Sequence, residues 1–247
     1  MSMMNSVTIA VFVLAWAINS PLLAQHTHGT HNRDSSHIIA AADAAMSGPM
    51  SDAAKKHMEL SPARRATRED SSRAKQVAGQ LRIALAKYHD TTAAVADGYR
   101  MFMPNVKTQR VFHFTNYKNA FLEAFRFDPK QPTSLLYQRG GDGQLKLIGA
   151  MYSAPKRMRA SKLDDRVPLS IARWHKHVNW CLPKKEDAER WLERREGLPL
   201  FGPESPIDTR AACRAVGGMF FESPMGWMIH ANVFLGEDLA AVFGHDH

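Results

Sequence analysis

Three histidine-bearing stretches carry residue types and spacings that suit metal chemistry: Val111 to Thr115, Arg173 to Cys181 and Trp227 to Val233. Each alternates polar and apolar residues, as a half-buried strand does. His175 and His177 are two apart, so in a strand they project from one face. Asn179 follows on that face, with Trp174, Val178 and Trp180 on the other. His230 and Asn232 share a face opposite Trp227, Ile229, Ala231 and Val233, and His113 opposes Phe112 and Phe114. If these strands lie in one sheet, His113, His175, His177 and His230 meet on a single surface and form a metal site on a rigid scaffold. Asn179, Asn232, Thr115 and Glu222 are the polar side chains expected to orient the rings.

Neutral imidazole is a good ligand for zinc, copper, nickel and iron, with zinc or copper ahead of the others. Three imidazoles leave one tetrahedral position for water, which would make the protein a metal-dependent enzyme. Spacing reveals no carboxylate ligand, and no catalytic residue is assigned. The plainer reading is a set of polar histidines on a solvated strand face, which would make the protein a non-metal binding or interaction module. Flexible His-rich ends add a separate signal: His26, His28 and His31 near one terminus, His245 and His247 at the other. Such tracts chelate divalent metals weakly. Among the methionines, Met101 with Met103 and Met225 with Met228 suit Cu(I), although methionine mostly fills core gaps. No phosphate-binding glycine loop and no nucleophile elbow is present.

The first 24 residues read as an export signal. The apolar run Val7 to Ile18 is too short to span a bilayer, and Leu22-Leu23-Ala24 offers a cleavage site before Gln25. The expected location is therefore the periplasm or the exterior, with no stable membrane span after cleavage. An even pair of cysteines in an oxidising compartment predicts a Cys181–Cys213 disulfide. The alternative is Cys181 as a thiolate ligand in register with His175 and His177. The net charge of +8 is scattered, without a basic stripe interleaved with aromatics, so a nucleic-acid partner is not expected.

These side chains need elements to position them. Residues 25–70 are polar, His-rich and Ala-rich, and read as a flexible tail, with His57 to Leu60 as a short docking segment. Residues 71–247 read as a single α+β domain: an antiparallel sheet covered on one face by helices, with a long helix near its start. Val77, Leu81, Leu85 and Tyr88 recur at helical spacing and predict one helix over Ala74 to Asp97, capped by Ser71 or Ser72 and kinked near Asp90. Lys118 to Phe127 predicts a short helix. Gly140-Gly141-Asp142-Gly143 predicts a hairpin between Ser134–Gln138 and Leu145–Tyr152. Ser170 to Cys181 is expected as one strand, Lys185 to Glu196 as a charged helix stopped by Gly197, and Thr209 to Val216 as a helix. Met219–Glu222 and Trp227–Phe234 are expected to complete the sheet.

The stretch from Leu81 to Phe234 resembles an uncharacterised family of exported bacterial single-domain proteins. The resemblance is carried by Tyr88-His89-Asp90, Ala96-Asp97-Gly98-Tyr99, His113 with Asn116, and Asp128-Pro129. It continues through Pro132 to Tyr137, Asp142 to Gly149, Trp174 to Asn179, and Gly218-Met219-Phe220. Around His230 the chain departs from those proteins, which are Pro-rich there. The resemblance implies a shared His-containing sheet and an exported location, and it implies no activity. Together these observations lead to an exported protein that binds a divalent metal, zinc or copper, at histidines on a sheet face.

Overall fold

The computed structural model of the protein describes residues 55–102, 104 and 111–244. The expected signal segment, the His-rich stretch His26 to His31, Met103 and the terminal His245 and His247 lie outside the described residues.

The sheet is built from β1 (Met58–Leu60), β2 (Arg100–Met101), β3 (Val111–Thr115), β4 (Ser134–Arg139), β5 (Leu145–Ala154), β6 (His175–His177) and β11 (Trp227–Ala231). Its seven strands pair antiparallel in the order β1-β6-β11-β5-β4-β3-β2. Four shorter strands stand apart: β7 (Trp180–Leu182), β8 (Arg194–Arg195), β9 (Leu198–Pro199) and β10 (Met219–Phe221). Six described α-helices accompany them: α1 (Arg68–Leu85), α2 (Thr91–Ala96), α3 (Tyr117–Glu123), α4 (Ala160–Arg166), α5 (Arg210–Ala215) and α6 (Leu239–Phe243). The protein is thus α+β, as the alternation of strand and helix signals predicts.

Helix α1 starts at a reciprocal cap. Thr67 Oγ1 accepts from the Asp70 amide while the Asp70 carboxylate accepts from the Thr67 amide. This box, whose cap Thr67 lies four residues before Ser71, sets the helix start. Val77, Leu81 and Leu85 bury the predicted stripe, which joins Phe112, Phe114, Leu135, Tyr137, Ala150, Tyr152 and Ile229 in one core. The single helix expected through Asp97 is broken instead. After Leu85 the chain tightens into a 3₁₀ turn, and Asp90 caps a separate α2 by accepting from the Thr92 amide at 2.8 Å.

The predicted hairpin forms, with Gly143 at φ 77° and Gln144 donating to Asp142 Oδ1. Three other expectations need correction. Ser170 to Cys181 is not one strand. Asn179 adopts φ 57°, which reverses the alternation and turns β7 out of the main sheet onto β10. Trp180 is consequently half-buried against His177, ring centres 5.0 Å apart, rather than in the core beside the fully buried Trp174. Met219–Phe221 pairs with β7 and takes no place in the main sheet. Lys185–Leu192 is a 3₁₀ helix with a break at Asp187, and Gly197 is a hairpin residue. Glu196 and Gly197, at φ 53° and 81°, form the two-residue turn between β8 and β9.

The docking segment read at His57 to Leu60 is the edge strand β1, whose Leu60 and Met58 lie opposite His175 and His177. Trp174 and Ser61 exchange hydrogen bonds beside it. Arg64 bridges Asp70 at 2.5 Å and Asp164 at 2.8 Å, and its guanidinium holds the buried Asp70 carboxyl well below the usual carboxylate range. Among the described residues no helix is long and apolar enough to cross a membrane.

Candidate metal centre

Strand register decides which side chains share the sheet face away from the core. His113 stands opposite Leu136, and Leu136 opposite Gly149. His230 stands opposite Met151, and His175 opposite Met228. Phe112, Phe114, Tyr137, Ala150 and Ile229 point the other way, into the core. The alternation that suggested in-phase histidines therefore holds in β3, β6 and β11.

The rings form a continuous series. His113 and His230 have centres 5.7 Å apart, His230 and His175 5.4 Å, and His175 and His177 5.8 Å. His175 is 1% exposed, and the other three are half-buried. Two strands, β4 and β5, separate β3 from β11. A flat sheet would hold their backbones about 14 Å apart, at about 4.8 Å per strand. Rings from the two strands meet only because the sheet curls toward the histidine face. Gly149 sits in that curl. A Cβ added there would lie 2.1 Å from the Ala231 carbonyl oxygen, so the end of β11 folds close over a backbone that has no side chain.

Imidazoles sharing a tetrahedral ion at nitrogen distances of about 2.1 Å have ring centres about 5 Å apart. The three observed separations are slightly wider. Among the described residues, no three His, Cys, Asp or Glu side chains already gather around one point as an ion requires. The arrangement is pairwise, with His175 and His230 in the middle of the series.

Of the polar residues expected to orient the rings, Thr115 and Glu222 have side-chain partners elsewhere. Thr115 Oγ1 lies 2.9 Å from Ser134 Oγ, and the exposed Glu222 carboxylate accepts from Arg210 at 2.6 Å. Asn179 spends its conformation on the left-handed turn, and its amide donates to the Glu222 carbonyl. Asn232 begins a turn after β11; its backbone N–H donates to the Val242 carbonyl, while its side-chain Oδ1 is buried without a hydrogen-bond partner among the described residues. Cys181 is bonded to Cys213, with Cα atoms 5.5 Å apart, so the thiolate-ligand alternative falls.

The burial of two polar residues was not read from the sequence. His57 is buried, with ring nitrogens 3.2 Å from the Val178 carbonyl and 2.6 Å from that of Ser205. Glu123 is 2% exposed, and burial raises its carboxyl to about 7 against the pull of Thr133 and Ser153 donors. Nothing in their sequence neighbourhoods marks either one. A recess of about 370 Å³ lies beside Glu123, lined by Ala120, Ala124, Ser153 to Lys156 and Gly226. The four histidines are not part of it.

The chain matches no family model, no curated protein and no solved structure.

Proposed function

We propose that the protein is an exported divalent-metal-binding protein, and that its ion, zinc or copper, is held by imidazoles of the curled sheet face. What supports this reading above all is the unbroken ring series His113, His230, His175 and His177, drawn from three strands at near-ligand spacing. The second side-chain torsion of histidine has a broad, roughly two-fold preference, so a modest ring rotation would bring neighbouring nitrogens onto one ion. Export is supported by the disulfide, a cross-link typical of oxidising compartments.

The test is metal analysis of full-length protein purified without an affinity tag, with His26, His28, His31, His245 and His247 changed to Ala. Stoichiometric zinc or copper should remain after dialysis. His230→Ala should weaken binding by about tenfold or more, because this ring touches both His113 and His175, while circular dichroism stays unchanged. Protein that takes up no metal under any loading condition would leave the histidines as merely polar side chains of an interaction module.

A further inference from the structure

The histidine face also carries methionine, and the methionine is placed where a ligand would be. Met228 is two residues before His230 on β11, so both project from the same face. It is also the direct cross-strand partner of His175 on β6. Side chains directly opposite in an antiparallel pair have Cβ atoms about 5 Å apart. His175 and His230, in turn, have ring centres 5.4 Å apart. Each of the three side chains is therefore a neighbour of the other two, and Met228 is 8% exposed, so its thioether is held inside the protein.

Resting on the metal-binding reading above, we propose that the resident ion is cuprous copper, bound by one nitrogen each of His175 and His230 and by Sδ of Met228. Thioether sulfur is a soft donor that favours Cu(I) and is a poor ligand for zinc. Cu(I) accepts two or three ligands, whereas zinc in a protein takes four from nitrogen, oxygen or thiolate sulfur. This resolves the arrangement of the face. Among the described residues no third His, Cys, Asp or Glu joins any pair to complete a zinc-like set, but two imidazoles and a thioether complete a trigonal one. A monovalent ion with three neutral ligands also needs no carboxylate. Met151, opposite His230 on β5, extends the soft lining without touching β6 in register.

The experiment uses the full chain with the terminal histidines changed as above. Cu(I) is supplied anaerobically as its acetonitrile complex and competed against a chromogenic Cu(I) chelator, and Zn(II) is titrated in parallel. The chain should bind one Cu(I). Met228→Leu, which keeps the side-chain volume, should weaken Cu(I) by about tenfold or more and leave Zn(II) within about twofold, whereas His175→Ala should weaken both. X-ray absorption of the Cu(I)-loaded protein should find one sulfur and two nitrogen neighbours, and this reading does not depend on any variant folding. Unchanged Cu(I) affinity in Met228→Leu, or a copper shell without sulfur, overturns the thioether site and leaves metal binding by the imidazoles standing. A chain that takes up neither Cu(I) nor Zn(II) overturns both.

Discussion

Glu123 ends helix α3 with its carboxyl enclosed by protein. One oxygen accepts from the Thr133 hydroxyl and from the Ser153 amide at 3.0 Å, while Arg166 donates to the Glu123 and Ser153 carbonyls instead of to the carboxylate. Loss of hydration outweighs these donors and raises the carboxyl from 4.5 to about 7. The folded chain thus holds this proton more tightly than the unfolded chain does. Folding loses stability as pH rises from about 4.5 to about 7, on the order of 3 kcal/mol in total, and is level above that. Glu123→Gln, which cannot ionise, should flatten this part of the stability curve and be the more stable protein at pH 8. Urea midpoints measured at pH 5 and pH 8 check it, and parallel curves for the two proteins would refute the assignment. At this scale the histidines were legible, because period-two spacing states which side chains share a face. Glu123 was not, because its burial depends on Thr133, Ser153 and Arg166, which lie distant in sequence or on other elements.

Two single backbone positions shape the elements around the site. Asn179 divides what reads as one strand into β6 and β7. Polar–apolar alternation runs through it undisturbed, so spacing cannot register the break. Only the tolerance of asparagine for left-handed backbone hinted at it. Gly149 allows the curl that brings His113 to His230. Gly149→Ala must push β11 away, at a cost of about 1 to 3 kcal/mol, and widen that ring pair. Leu147→Ala, a cavity in the core on the opposite face, should cost about 2 to 5 kcal/mol without moving the rings. Metal affinity should therefore fall in Gly149→Ala and hold in Leu147→Ala, despite the larger destabilisation in the latter. Equal affinities in the two variants would mean that the curl does not govern the site. The hairpin, by contrast, was legible in its turn, because Gly140 to Gly143 dictates it, while the register shift between Leu136 and Tyr137 was not.

The described residues form two apolar centres of unequal size. The larger lies between α1 and the seven-stranded sheet, and the smaller consists of Leu200, Phe201 and Ile207 around the disulfide. So few buried side chains hold a fold weakly, and the cross-link compensates. Closing a 32-residue separation, the disulfide contributes about 4 kcal/mol in the chain-entropy model. Reduction should lower stability by about that amount and raise amide exchange first in residues 180–221, with β4 and β5 still protected. Exchange rising together across both regions would show one cooperative unit instead. The cysteine pair and the α+β class were legible from count and pattern. The second centre was not, since its existence follows from the turn at Asn179. The sheet order has a kinetic meaning as well. The hairpin of β4 and β5, extended by β3, can assemble from neighbouring sequence. β11, the last strand in the chain, enters between β5 and β6, and only then can β1 and β6 join the rest. Contacts such as His57 to Val178, 121 residues apart, come late and slowly. A chain cut short before Trp227 would keep a structured meander with the edge of β5 bare, a template for association with other chains. In this topology the sequence that completes the histidine face is also the sequence that seals the protein against aggregation.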